Sequence, residues 1–305
     1  MKTILITGAL GHIGSHLIRN WPNKDDHIIA VDDMSNKRYC SIFNLGRTVQ
    51  FVQSCVTEIP LNILTTADIV IHLAAKTDAT TSFKNELEYE FENVEYTKVL
   101  VKTCEKLNIE LFVFPSSSSV YGVSVDEVFE DNDSHINPQS PYAEQKYKSE
   151  QMIQQRLGNN GTSYLIPRFG TIFGTSPGMR FETAVNKFCL EASLGKPLTV
   201  WAQNYEMTRP YLGLNDCVSG LHMLINNKDS WNNIYNMVTV NQKAKTIVEH
   251  IQKLTGVELN FIDTPLLNQF TYRVNTDKIK NLGFVAKDDM LANIHDTLEL
   301  LKGIR

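Results

Sequence analysis

The 305-residue sequence predicts an α/β fold, a doubly wound parallel sheet followed by a smaller lobe, and three observations carry that expectation. Apolar runs alternate with amphipathic segments through the first half, as a parallel sheet wound with helices requires. The chain opens on a strand, a glycine turn, a helix and a second strand ending in acid. After Gly170 the alternation loosens, and Pro177, Pro197, Pro210 and Pro265 break shorter elements.

Taken in order, the expected strands are Thr3 to Thr7, Ile28 to Asp32, Val49 to Gln53, Ile69 to Leu73, Leu111 to Ser116 and Ser163 to Arg168. Each holds the short apolar or β-branched run of a strand buried on both faces. Glu92 to Leu107 and Ala143 to Leu157 read as helices. Gly158-Asn159-Asn160-Gly161 ends the second with residues that tolerate positive φ. Residues 1–170 are expected to form a nucleotide-binding domain. Residues 171–305 are expected to be mainly a substrate lobe, with some elements returning to the sheet.

The first 33 residues carry the most chemical information. Gly8 permits a tight turn, Gly11 lets backbone N–H groups approach a pyrophosphate, and Gly14 allows the helix to pack closely on the strand. Asp32 ends the second strand, where a carboxylate takes the ribose hydroxyls of NAD. Asp32 and Asp33, with no basic residue before Lys37, would repel a 2′-phosphate, so NAD is expected over NADP.

Composition narrows the remaining classes. A 42% hydrophobic content is enough for one large core, or a core plus a smaller lobe. Net charge is −5 without a basic cluster, so no nucleic-acid or anionic-membrane surface is expected. Cys40, Cys55, Cys104, Cys189 and Cys217 are scattered and lack metal-ligand spacing, which predicts free thiols in a reducing compartment and no metal site. No stretch reaches transmembrane length, and a soluble cytoplasmic protein is expected.

The candidate chemistry sits mid-chain. Pro141-Tyr142-Ala143-Glu144-Gln145-Lys146 sets a phenol and an ammonium four residues apart at a helix start, hence on one face. A nearby lysine favours the phenolate, which would let Tyr142 exchange a proton near neutral pH. Such pairs are common on surfaces, as the adjacent Tyr147 and Lys148 show. Phe114-Pro115-Ser116-Ser117-Ser118-Ser119-Val120-Tyr121-Gly122 adds weight, because it opens a buried strand into a run of hydroxyls at the end where α/β sheets present ligands.

Together these features, spread over residues 1 to about 300, resemble the extended short-chain dehydrogenase/reductases, in particular the NAD-dependent nucleotide-sugar epimerase/dehydratase family. The likeness rests on the Gly-x-x-Gly-x-x-Gly turn, Val31-Asp32-Asp33, Ile71-His72-Leu73-Ala74-Ala75, Asn93-Val94, Ser117 to Gly122, Tyr142 with Lys146, Pro167 to Thr171, and Arg209 ahead of Asp216. It implies a Rossmann-type sheet and Ser117, Tyr142 and Lys146 as catalytic residues. It also implies that His12, Ile13, Asp32, Asp33, Met34, Ser35, Asn36, Lys37, Cys55, Val56, Leu73, Ala74, Ala75, Lys76, Thr77, Asn93 and Gly170 join the glycines and the Tyr/Lys pair around NAD. Thr171, Arg209 and Arg273 would join Ser117 in binding a nucleotide-diphosphate sugar. A homodimer is implied as well, with Val99, Leu100, Met152 and Ile153 as its expected seam.

Departures from the family shape the functional expectation. Gln53-Ser54-Cys55-Val56 lacks the carboxylate that usually meets the adenine amino group. Ser118 and Ser119 replace the Asp-Glu of the common 4,6-dehydratases, and hydroxyls cannot supply that acid and base at neutral pH. Pro210-Tyr211 follows Arg209 in place of the usual Asp-Phe. The expectation is therefore epimerisation through a keto intermediate, most plainly at C4, with UDP favoured and dTDP, GDP and CDP open. A keto-sugar reductase and a non-catalytic NAD-binding regulator remain as alternatives.

Overall fold

The computed structural model describes residues 1–46, 49–124, 127–158, 161–263 and 272–304. The sequence features at Asn159, Asn160 and Pro265 lie outside them. In chain order the strands are β1 Thr3–Thr7, β2 His27–Asp32, β3 Val49–Gln53, β4 Ile69–His72, β5 Leu111–Val113, β6 Ser116–Ser117, β7 Glu127–Val128 and β8 Ser163–Phe169. They continue as β9 Thr171–Phe173, β10 Leu198–Trp201, β11 Thr208–Gly213, β12 Asn233–Met237, β13 Val240–Lys243, β14 Leu259–Ile262 and β15 Arg273–Val274.

The main sheet runs β12-β8-β5-β4-β1-β2-β3, with β6 also paired to β8, and every pairing is parallel. Alternation of side chains across the sheet explains why its strands are apolar throughout. Ile4, Ile6, Ile28 and Ala30 enter the core on one face, with Leu17, Ile18 and Leu221, while Leu5, Ile29 and Val31 enter the other, with Leu100, Val101 and Ile153. A third cluster, around Phe173, Phe188, Tyr211, Ile247 and Ile294, fills the second half of the chain. There β11 joins β9 in parallel and β13 in antiparallel fashion, and β10 pairs with β14.

Two expected elements differ in detail. The predicted Leu111 to Ser116 strand breaks into β5 and β6 around Pro115, which has no N–H to offer a ladder. The predicted Glu92 to Leu107 helix begins as a π-helical segment, Phe91–Glu95, before the α-helix Tyr96–Leu107. The wider turn carries Asn93, 4% exposed, into hydrogen bonds with the Lys76 backbone and Gln145. Leu100 and Ile153 are also buried within the chain's own core, which removes them from any subunit seam. Val99 is exposed and Met152 is half-buried. Among the described residues no helix is long and apolar enough to cross a membrane.

Candidate cofactor and catalytic cleft

Between β1 and β4 the strand order reverses, and a crevice opens beyond their C-terminal ends. It holds a cleft of about 1010 Å³. Its floor is the turn after β1, where Gly8 sits at φ +65° and a Cβ would come 2.6 Å from the Ala74 nitrogen. Only glycine lets that turn pass so close to the segment after β4. Gly8, Gly11, His12, Ile13 and Gly14 line the cleft, and the helix His12–Asn20 starts there, so its unpaired N–H groups are placed for an anion.

Asp32 braces the turn. Its carboxylate accepts from the Leu10 N–H at 3.0 Å and the Met34 N–H at 2.9 Å, while burial raises its pKa against those bonds. Asp33, Ser35 and Asn36 line the cleft with it. Met34 and Lys37 do not, because they form the turn backbone at φ 63° and 54°. Arg38, the residue after Lys37, does reach the cleft, half-buried and acting electrostatically on Asp32.

Farther along, Cys55 and Val56 line the wall beside Tyr96, a residue the sequence reading did not single out. Leu73, Ala74, Ala75, Lys76 and Thr77 form the rim after β4, with Lys76 ion-paired to Glu88 and Glu92. Asn93 stays off the wall. It accepts from the Lys76 N–H at 2.8 Å and donates to the Lys76 carbonyl and to Gln145 Oε1, each at 3.0 Å, tying the rim to the helix Pro141–Arg156.

That helix starts cleanly because the Ser140 hydroxyl accepts from the Ala143 N–H at 3.2 Å and Pro141 takes the first turn. Tyr142 and Lys146 therefore emerge one turn apart on the cleft side, which Ser117 also lines. The Ser117 hydroxyl in turn accepts from the Ser119 N–H at 3.1 Å. Burial raises the Tyr142 pKa, and the Arg180 guanidinium and the neighbouring Ser117 hydroxyl pull it back. The sequence reading assigned that pull to Lys146. Lys146 instead donates to the Pro115 carbonyl at 2.9 Å, over the Phe114 ring, and burial lowers its own pKa to about 8.

Arg180 was missed because nothing distinguishes it in sequence. It arrives on the 174–183 loop, which lies across the glycine turn. His12 Nε2 meets the Gly174 carbonyl at 3.0 Å, the Gly178 N–H donates to Ser15 Oγ at 2.9 Å, and the Arg180 side chain donates to Thr77. A Cβ on Gly178 would lie 2.1 Å from the Leu10 carbonyl oxygen. Gly170 and Thr171 line the cleft from β8 and β9.

Arg209 and Arg273 fall outside the cleft lining. Arg209 rests 5.6 Å over the Tyr272 ring, with one guanidinium nitrogen buried and unbonded among the described residues, and Arg273 is exposed on β15. Buried hydroxyls of Ser116, Ser119 and Thr183 also lack hydrogen-bond partners among the described residues, and all three line the cleft. An unpaired buried hydroxyl is costly, so these suit a polar ligand such as a dinucleotide or sugar.

The model of the NAD dependent epimerase/dehydratase family matches residues 4–237. The chain belongs to that family. Among curated relatives of this family member, a trifunctional UDP-glucose 4,6-dehydratase/UDP-4-keto-6-deoxy-D-glucose 3,5-epimerase/UDP-4-keto-L-rhamnose-reductase of Arabidopsis thaliana is 28% identical over 98% of this chain and 47% of its own length. The chain thus spans about half the length of such plant relatives. A dTDP-D-glucose 4,6-dehydratase of Dictyostelium discoideum is 31% identical over 78% of this chain and 58% of its own. The family fold recurs in a UDP-glucuronic acid 4-epimerase from Bacillus cereus solved with NAD, at TM-score 0.91, 23% identity and 98% coverage of both chains. NAD dependence follows from the family, and the glycine cradle, Asp32 and the unpaired hydroxyls fit that cofactor.

Proposed function

We propose that this protein is an NAD-dependent nucleotide-sugar epimerase acting at C4 through a transient keto sugar. The observation that carries the proposal is the convergence of Ser117, Tyr142 and Lys146 in the same cleft as the glycine turn. Bound NAD supplies a hydride acceptor that returns the hydride later in the cycle. Tyr142, as phenolate, takes the proton from the C4 hydroxyl. Ser117 holds that oxygen and relays the proton, Lys146 holds the nicotinamide ribose, and the Arg180 guanidinium supports the phenolate by its charge. When the keto sugar turns in the pocket, Tyr142 returns the proton to the oxygen on its new side.

Dehydration is disfavoured by the residues present. Ser118 is buried and bonded to the Tyr272 hydroxyl at 3.3 Å, and Ser119 faces the cleft with no carboxyl to offer. Thr171 is assigned to the sugar nucleotide and Arg209 to its diphosphate, with Arg273 as the candidate for a second diphosphate arginine. We assign residues 1–170 to the cofactor and most of 171–305 to the substrate, with β12 returning to the sheet beside β8. A cytoplasmic location suits five free cysteines. A homodimer is proposed through the helical face carrying the exposed Leu87, Phe91 and Val99.

The test is turnover of UDP-, dTDP-, GDP- and CDP-hexoses followed by NMR, with free NADH monitored by absorbance. A C4 epimer formed without net NADH consumption is expected. Consumption of NADH in proportion to product would make the protein a reductase, and the absence of both would favour a regulator.

A further inference from the structure

We infer that Glu150 is a positioning residue for this reaction, its buried carboxylate keeping Lys146 in the ammonium form against the cost of burial. The proposal rests on the catalytic reading of Tyr142 and Lys146 given above.

Tyr142, Lys146 and Glu150 follow one another at single helical turns, so they form one stripe along the helix Pro141–Arg156. Exposure falls along the stripe, from Tyr142 at the cleft wall to Lys146 at 6% and Glu150 at 0%. Glu150 is gripped by Arg168 of β8, with Nε at 3.1 Å and 3.3 Å from the two carboxylate oxygens and Nη2 at 2.6 Å. Arg168 also donates to the Tyr121 hydroxyl at 3.0 Å, which donates to Asn236 Oδ1 at 2.6 Å, and Glu130 accepts from Asn236 at 3.0 Å. These residues are 6% exposed or less.

A buried ion pair is a poor device for stability alone, because apolar residues of the same size often do as well. What apolar residues cannot supply is a negative charge behind a buried ammonium. Burial lowers the Lys146 pKa to about 8, and the Glu150 carboxylate opposes that fall. Glu150 is itself paired with Arg168, but it is the carboxylate buried on the Lys146 stripe, whereas the neighbouring ones are more exposed to water and paired elsewhere. Glu90 is paired with Lys148, Glu105 with Arg156, and Glu88 and Glu92 with Lys76. His72, reaching Lys146 from β4, is held neutral, while the Pro115 carbonyl and Phe114 ring carry no net charge. Tyr142 and Arg168 are the remaining ionisable groups nearby, and Arg168 is already spent on Glu150.

The experiment titrates Lys146 directly in the free protein, by competitive acetic anhydride labelling across pH 6 to 11 (roughly the span from the lowered value to that of a free lysine), read by peptide mass spectrometry. Wild type is compared with Glu150→Gln, Glu150→Asp and the paired Glu150→Met/Arg168→Met, which removes both charges and orphans neither. The labelling midpoint is expected to fall by about one pH unit in Glu150→Gln, by less in the paired variant, where the Arg168 cation is lost as well, and to return in Glu150→Asp. The alkaline limb of the turnover profile should move with it. An unmoved midpoint overturns the proposal, as does failure of both charge-removing variants to fold, which would make the pair purely structural. A shifted midpoint with turnover indifferent to Lys146→Met would instead overturn the catalytic reading and leave the electrostatic one standing.

Discussion

The Lys146 ammonium donates to the Pro115 carbonyl at 2.9 Å, the residue that separates β5 from β6 and leads directly into the Ser116–Ser119 hydroxyls. One hydrogen bond therefore joins the catalytic helix to the serine-bearing strand. It also holds the lysine where a ribose could replace or share the carbonyl as partner. Four expected outcomes follow from this arrangement and its surroundings.

Tyr142→Phe keeps the ring and its packing but removes the hydroxyl from the cleft it shares with Ser117. Turnover should fall by roughly two to four orders of magnitude, the usual worth of a positioned acid/base, with fold and NAD binding preserved. Ser117→Ala should lose less, and Lys146→Met should weaken NAD binding as well as turnover. Steady-state kinetics with calorimetric NAD titration checks all three, and wild-type turnover in Tyr142→Phe would refute the assignment.

NAD should bind more tightly than NADP by on the order of a few kcal/mol, because Asp32 opposes a 2′-phosphate in a partly desolvated site. Arg38 beside it tempers the preference. Asp32→Asn is expected to narrow the gap in calorimetric titrations, and equal affinities in wild type would remove the carboxylate from this role.

Acid should destabilise the protein before its carboxylates titrate. His72 is 1% exposed between Thr7 and Thr97, and burial, followed by the Lys146 charge, lowers its pKa to about 3. The unfolded chain takes up that proton below about 6.5, so the stability is whole above that value and is lost as pH falls towards 3. At pH 5 the loss from this group should be about 2 kcal/mol. Denaturant melts at pH 7 and 5 should show it, and His72→Asn should show a smaller difference between the two.

Gly178→Ala should loosen the 174–183 loop, because the added Cβ would lie 2.1 Å from the Leu10 carbonyl oxygen and the loop must lift. The protein should purify with less NAD and lose it faster on dilution, measured by release into a trapping dehydrogenase. Unchanged retention would show that the loop does not hold the cofactor in place.

Part of this was legible along the chain. β1, the glycine turn and β2 are local, and their periodicity and Gly8, Gly11, Gly14 and Asp32 are written within 32 residues. The same is true of Tyr142 and Lys146, whose common face needs only helical geometry. Tertiary structure alone decided what lies opposite them. It brought Arg180 from the 174–183 loop to the phenol, placed Arg38 in the cleft in preference to Lys37, and turned Asn93 inward through a π-helical segment. It also buried Leu100 and Ile153, which helical spacing alone offered to a partner. Periodicity specifies which residues share a face of one element, but contacts across the sheet and between lobes arise from packing over large sequence separations, and no local pattern encodes them.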